Sequence, residues 1–273
     1  MTADDFGAAE PVNEAVEQAH LQGVLTAASL MVGAPAAADA VARARRLPSL
    51  RVGLHLVLVE GRPMSDPAAV SHLTGADGRF RSDMAALGAE IFLRPGVRRQ
   101  LEAEILAQFQ AYAATGLSLD HVNTHKHYHL HPSVLSAILR IGRAFGLRAL
   151  RTPVEPRAVL AQVEPQAQLP PAWITAPWAA LGRRRARRAG LRTPDQVFGL
   201  QWSGAMTAQR LCGLVRRLPS GLSEIYLHPA MQAYPGSAPG YRYLEEFQAL
   251  VDPDVVAAAR AEGLALGGYA DFA

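Results

Sequence analysis

The sequence predicts an α/β fold, one domain of alternating strands and helices whose parallel sheet curls into a barrel. Three observations predict it. Apolar segments of strand length alternate with segments of helical period along all 273 residues, with no fixed-period repeat. One of them, Arg51-Val52-Gly53-Leu54-His55-Leu56-Val57-Leu58-Val59, is apolar almost without interruption, as a strand buried on both faces of a parallel sheet would be. Titratable side chains also recur at the carboxyl ends of the strand-like segments, where a parallel β/α fold gathers its functional groups. A chain of this length can be one large domain, and residues 1–273 are read as one.

The elements follow in order. Thr2-Ala3-Asp4-Asp5-Phe6-Gly7 sets two adjacent carboxylates before a glycine, a pair that alone reads as an ordinary helix N-cap. Residues 10–20 are apolar at helical spacing, with Pro11 suited to a first turn, and Gly23 ends that helix. A buried strand over 25–32 and a helix over 36–46, stopped before Pro48, come next. In the apolar strand 51–59, His55 is the interruption. Taken alone, it reads as a core histidine with its hydrogen bonds satisfied. Gly, Pro, Asp and Ser crowd residues 61–95, which read as a long functional loop. Residues 97–115 form an amphipathic helix, with Leu101, Ile105 and Phe109 on one side and Arg98, Arg99 and Glu102 on the other.

Five of the nine histidines then fall within eleven positions. His121, His125, His127, His129 and His131 alternate with other residues and would share one face of an extended strand. Neutral imidazole is the commonest metal ligand and titrates nearest pH 7, so the run reads as a metal or proton-transfer site. A helix over 133–145, a short strand over 147–151 and an aperiodic stretch over 154–172 follow. Residues 178–189 read as a helix carrying the one dense basic run, Arg183-Arg184-Arg185-Ala186-Arg187-Arg188. A solvated face is its ordinary meaning. With Trp173, Ile174, Pro177 and Trp178 just before it, a peripheral membrane contact is the second meaning. A strand-like 197–202, a helix over 207–217, a strand over 222–227 ending at His228-Pro229, a Gly/Pro/Tyr loop over 234–241, helices over 244–251 and 254–262, and a strand over 264–269 complete the chain.

Composition narrows the function classes. With 49% hydrophobic and 19% charged residues the chain is globular rather than disordered. The net charge is only +3, and nearly all positive charge is arginine, Lys126 being the one lysine. That reads as GC-rich codon usage rather than a binding adaptation, and no nucleic-acid partner is expected. A single cysteine, Cys212, excludes an internal disulfide framework and fits a reducing compartment. No segment reaches the ~18 apolar residues of a membrane span, and the first residues lack signal-peptide character. A cytoplasmic protein is expected, membrane-associated if the basic run serves that purpose. A homodimer is compatible with the apolar positions left at the surface.

Asp4 and Asp5, His55, the histidine run, Arg151 and His228 all fall at strand ends, so the fold would deliver them to one rim. One carboxylate with two histidines and open positions suits Zn²⁺ or a related divalent ion, since no thiolate is at hand. A second carboxylate could take a proton from water, and a histidine opposite could protonate a leaving group. These parts assemble into hydrolysis of an amide or ester.

Five ordered motifs carry a resemblance over nearly the whole chain. Thr2-Ala3-Asp4-Asp5-Phe6-Gly7, Gly53-Leu54-His55-Leu56, His121-Val122-Asn123-Thr124-His125-Lys126-His127-Tyr128-His129, Leu150-Arg151-Thr152-Pro153 and His228-Pro229 resemble those of the YdjC-type carbohydrate deacetylases. Asp195-Gln196-Val197-Phe198-Gly199 and Ser203-Gly204-Ala205-Met206 look most like the subgroup associated with hopanoid biosynthesis. The resemblance implies a distorted TIM-like β/α barrel that deacetylates an N-acetylated sugar with a divalent metal ion, Zn²⁺ or Mg²⁺. By motif position Asp5, His55 and His125 would be metal ligands, Asp4 the general base, His228 the acid, and Arg151 the group that orients base or substrate. His127 and His129 fall in the pocket without a ligand role. The subgroup implies an N-acetylglucosaminyl hopanoid converted to the glucosaminyl form. A soluble N-acetylated oligosaccharide is the alternative substrate, and a metal- or sugar-binding protein without turnover the alternative function. A glycosidase would need two carboxylates about 5–10 Å apart across the bond, and no second acid sits at a strand end to serve. Two departures from the family pattern stand out. Only three residues precede Asp4, so either the true start lies upstream or the first barrel strand is unusually short, and Asn123 stands where the family often has an acid, which removes any charge role there.

Overall fold

A computed structural model describes residues 1–165 and 176–272. Trp173 and Ile174, the apolar lead into the basic run, lie outside the described residues. The described strands are β1 (Thr2–Phe6), β2 (Ala27–Leu30), β3 (Arg51–Leu56), β4 (Val122–Thr124), β5 (Gln196–Phe198) and β6 (Ser223–Leu227). They form one all-parallel sheet in the order β4-β3-β2-β1-β6-β5. Between β4 and β5 the ring continues as single parallel bridges, Val122 with Leu150 and Ala149 with Arg192. The Val197 amide then donates to the Val154 carbonyl. The sheet is a barrel thinned at one stave. The strand expected over 147–151 shrinks to that bridge because Pro153 and Pro156 offer no N–H to extend a ladder.

Around the sheet lie α1 (Glu10–Gln22), α2 (Ala37–Arg46), α3 (Met84–Leu93), α4 (Pro95–Ala114), α5 (Pro132–Gly142), α6 (Arg157–Val163), α7 (Ala176–Arg188), α8 (Ala208–Val215), α9 (Tyr243–Val251) and α10 (Pro253–Ala261). β1 and β2 are buried throughout, which puts Asp4 and Asp5 inside the molecule despite the three residues before them. Thr26 and Ala27 donate their amides to the Met1 carbonyl, so the start of β1 is tied into the sheet.

Three expectations give way. The loop over 61–95 contains α3, where Leu87 and Ile91 pack inward one turn apart; the Gly and Pro punctuation around it hides the helical spacing. The strand over 264–269 is absent. Asp120 accepts the amides of Tyr269 and Ala270, and Asp271 that of Gly268, so side chains satisfy the backbone that a ladder would have used. The histidine run is extended only over β4. His125–Leu130 is a tight 3₁₀ segment in which Lys126 and His127 both have φ of 53°, so the five imidazoles do not share a face.

Candidate active site

Two neighbours on a regular strand point to opposite faces. Asp5 escapes that rule with φ of 62°, and the β1–β2 register slips between Ala3 and Phe6. Both carboxylates therefore line one cavity of about 520 Å³ at the carboxyl ends of the strands, with His55, His125, His127, Tyr226, His228 and Tyr241.

Asp5, His55 and His125 offer donor atoms that converge. Asp5 Oδ1 lies 3.3 Å from His55 Nε2 and 3.4 Å from His125 Nδ1, and the two nitrogens are 3.4 Å apart. Ligands at about 2.1 Å from a tetrahedral ion stand about 3.4 Å from one another, so this set fits a divalent metal. Two further features agree. Asp5 Oδ1 is buried and receives no hydrogen bond. His55 Nδ1 is 2.7 Å from Asn123 Oδ1, an acceptor, which puts the proton on Nδ1 and leaves the Nε2 lone pair facing the cluster. Burial pushes the Asp5 carboxyl up, but the facing imidazoles of His125 and His55 hold it well below the usual carboxylate range. Burial also lowers His125, and Asp5 more than reverses this, so His125 is raised. Proton and cation compete for the same place there, and loading a metal would release the proton.

Asp4 is held differently. Arg151 donates from Nη1 to its Oδ2 at 2.5 Å and from Nη2 to its Oδ1 at 3.0 Å, and Asn123 Nδ2 adds a bond to Oδ1 at 3.0 Å. Arg151 is wholly buried and grips Glu224 of β6 with its other edge, Nε and Nη2 donating at 2.9 and 2.8 Å. Its guanidinium lies 4.4 Å from the Tyr226 ring centroid, and Tyr269 Oη donates to Glu224 at 2.5 Å. Burial alone would raise Asp4; the Arg151 charge, with His55 and His228, brings it below the normal range. Asp4 is thus a fixed carboxylate.

The other histidines take separate posts. His127 lines the cavity with Nε2 3.0 Å from Tyr226 Oη, and burial, aided by Arg151, keeps it well below an ordinary imidazole value. His129 is not among the lining residues; it is buried behind the turn with Nδ1 2.7 Å from Thr124 Oγ1. His131 caps α5 through Ser133 N–H, and His121 sits beneath the sheet against Asp120. His228 borders the cavity from the end of β6, ringed by Tyr226 and Tyr241 at 5.6 and 5.1 Å between centroids. Its Nδ1 is buried without a partner, 3.9 Å from Glu246.

The site also uses residues that the sequence reading passed over. Glu224 is a lone acid in an apolar strand, a pattern that could have flagged it as the second partner of Arg151. Asn123 is more than a lost charge, since one amide joins His55 to Asp4. Tyr226 and Tyr241 had no signal beyond a loop and strand rich in tyrosine.

A parallel β/α barrel that gathers Asp5, His55 and His125, a trio that could hold a metal ion, and a fixed carboxylate at its strand ends defines a class: barrels with their polar cluster in the mouth. Sequence comparison narrows it. The family model described as YdjC-like protein matches residues 1–261, and the chain belongs to that family. It is 31% identical to a carbohydrate deacetylase of Geobacillus stearothermophilus over 277 residues, covering 100% of this chain and 96% of that protein. A carbohydrate deacetylase of Homo sapiens is 32% identical over 305 residues, with 100% and 90% covered. In fold, the chain is similar to a crystal structure from Enterococcus faecalis V583, a protein assigned provisionally to cellobiose-phosphate cleavage. The TM-score is 0.76 at 23% identity, with 100% of this chain and 97% of that one covered.

Proposed function

We propose that this chain is a metal-dependent carbohydrate N-deacetylase, a hydrolase of the amide bond on an N-acetylglucosamine-bearing substrate. One observation carries the reading: the Asp5–His55–His125 cluster stands beside Asp4, a carboxylate that Arg151 and Asn123 hold ionised and oriented. The names of the deacetylase relatives support the reaction class.

Asp5, His55 and His125 would hold a divalent ion, Zn²⁺ or Mg²⁺. When bound, the ion supplies Lewis-acid polarisation of the acetyl carbonyl and acidifies water. Asp4 takes the proton of the attacking water. Arg151 fixes the direction from which Asp4 does so. His228, at the end of the neighbouring strand β6, gives a proton to the nitrogen as the C–N bond breaks, so that acetate and a free amine leave. The tyrosines around His228 offer faces on which a sugar ring can stack.

The finer substrate we propose is an N-acetylglucosaminyl hopanoid. A second cavity of about 330 Å³ meets the first at Asp5 and His125, with Met31, Pro35, Val57 and Met64 on its walls beside Glu60, Arg62 and Arg79, room for a group with both apolar and polar parts beyond the sugar. On α7, Trp178 and Leu181 are 48% and 44% exposed and the arginine run follows, a face suited to the anionic surface of a membrane on its cytoplasmic side. No helix among the described residues is long and apolar enough to cross one. Exposed Phe92 and Leu93 at the end of α3 support a homodimer, which sedimentation would test.

The test is product analysis with N-acetylglucosaminyl glycolipid and with soluble N-acetylated oligosaccharide, each with and without chelator. Chelator-sensitive acetate release, faster from the glycolipid, is expected. Cleavage of the glycosidic bond would sink the reaction class, and release unaffected by chelation would sink the metal role. Faster release from the oligosaccharide would replace the hopanoid.

A further inference from the structure

A buried chain of polar groups runs from the amino end of β4 to His55. Asp120 Oδ2 is 2.8 Å from His121 Nδ1, and His121 Nε2 is 2.9 Å from Ser29 Oγ. Asn123 Nδ2 donates to Ser29 Oγ at 2.8 Å and to Asp4 Oδ1 at 3.0 Å, while Asn123 Oδ1 faces His55 Nδ1 at 2.7 Å. Ser29, His121 and Asn123 are fully buried, so no water competes for these bonds. Neither Asp120, His121 nor Ser29 lines either cavity that meets the candidate metal cluster.

The direction of every bond follows from one end. Asp120 also accepts the amides of Tyr269 and Ala270, and these with His121 hold it below the usual carboxylate range against the opposing effect of burial. An ionised carboxylate only accepts, so the His121 proton sits on Nδ1 and Nε2 carries the lone pair. The Ser29 hydroxyl then donates to Nε2, and its oxygen is free to accept from Asn123. The carboxamide therefore turns its NH₂ edge to Ser29 and Asp4 and its oxygen to His55. That oxygen requires the Nδ1–H tautomer of His55. Were His121 reversed, Ser29 Oγ would face two donors and its own buried proton would have no acceptor. In the stated direction every donor in the chain meets an acceptor, whereas the reversed ring would leave a buried donor unpaired.

We propose that Asp120, His121 and Ser29 are positioning residues that act through Asn123 to lock His55 in the tautomer that can ligate a metal ion. This inference rests on the metal-site reading above, but it concerns the protein without substrate. Partners one bond removed from a metal ligand typically govern 10–100-fold in affinity. The same chain also pins Asp4 Oδ1, so it couples the orientation of the proposed base to that of the ligand.

The experiment reads His55 in the metal-free protein by ¹⁵N NMR of its ring nitrogens and measures Zn²⁺ affinity by calorimetry. Wild type is expected to show one tautomer, protonated on Nδ1. Ser29→Ala and Asp120→Asn are each expected to give a mixture of tautomers and at least tenfold weaker Zn²⁺ binding. Asn123→Ala, which removes the acceptor itself, shows the size of a full loss. Denaturation midpoints identify any variant that has lost its fold, and the two remote variants stand in for each other. An Nε2–H tautomer in the wild type would overturn the proposal, as would a single Nδ1–H tautomer and unchanged affinity in a folded remote variant. Failure to release acetate would overturn the deacetylase reading and leave these results standing.

Discussion

Adjacent carboxylates at Asp4 and Asp5 divide their work because of what surrounds each. Asp4 has both oxygens engaged by Arg151 and Asn123, whereas Asp5 Oδ1 is bare and faces two imidazoles. Asp4→Asn is therefore expected to keep Zn²⁺ binding near the wild-type value while kcat for acetate release falls about 10²–10⁴-fold, the usual worth of a positioned base. Calorimetry and an acetate assay check the two halves. His129 gives a prediction on stability. Its burial, with the nearby Arg151 charge, lowers its pKa from 6.5 to about 3 in the folded protein. The unfolded chain thus binds a proton that the native state refuses. The stability associated with a neutral His129 is complete above pH 6.5 and declines as the pH falls toward 3, by up to about 1.4 kcal/mol per pH unit. Urea denaturation of the metal-free protein at pH 7 and pH 4.5 should show a smaller acid loss in His129→Gln than in wild type; equal losses would contradict the assignment. At this scale the sequence singled out Asp4, Asp5, His55, His125, His127 and His228 among the residues that line the cavity, because titratable groups at strand ends stand out among apolar neighbours. Ser29 was not legible, since a serine within a strand gains meaning only from a partner 92 positions away, and Glu224, though visible as a lone acid, has its partner 73 positions away.

Among the elements, the turn after β4 decides the site. Two consecutive left-handed residues, Lys126 and His127, fold back a run whose alternation reads as a strand, and so separate His125 from His127 and His129. Periodicity assumes one conformation throughout, and neither Lys126 nor His127 is a glycine that would have announced the turn. The β3–β4 pair is equally exacting. A Cβ on Gly53 would fall 2.6 Å from both the carbonyl oxygen and Cε1 of His121. Gly53→Ala must therefore spread the strands that carry His55 and Asn123. The expected outcome is a loss of about 1–3 kcal/mol in chemical denaturation, together with weaker Zn²⁺ binding. A variant of wild-type stability would show that the two strands are not in such close contact. A glycine in an apolar strand signals close backbone approach, a cue that the sequence reading passed over beside the more conspicuous His55.

For the whole molecule, the barrel class was legible from alternating segments, but its strand order and weak stave were not. Bridges of one residue pair leave no hydrophobic run to read, and the prolines after Arg151 mark where pairing stops. The reduced pairing still delivers Arg151 to Asp4. α7 carries the remaining prediction at this scale. Replacing the arginines within residues 183–188 by glutamine is expected to abolish binding to vesicles rich in anionic lipid and to leave hydrolysis of a soluble substrate unchanged. Undiminished vesicle binding would remove the membrane contact from the proposal.

The central claim is that one ion held by Asp5, His55 and His125 and one carboxylate, Asp4, together hydrolyse an N-acetyl group. Its most direct measurement is metal content and acetate release determined on the same preparations of wild type, Asp4→Asn and His55→Ala. The expected result is one equivalent of metal with release in wild type, metal without release in Asp4→Asn, and neither in His55→Ala. Acetate release by His55→Ala at the wild-type rate, with no metal bound, would contradict the account.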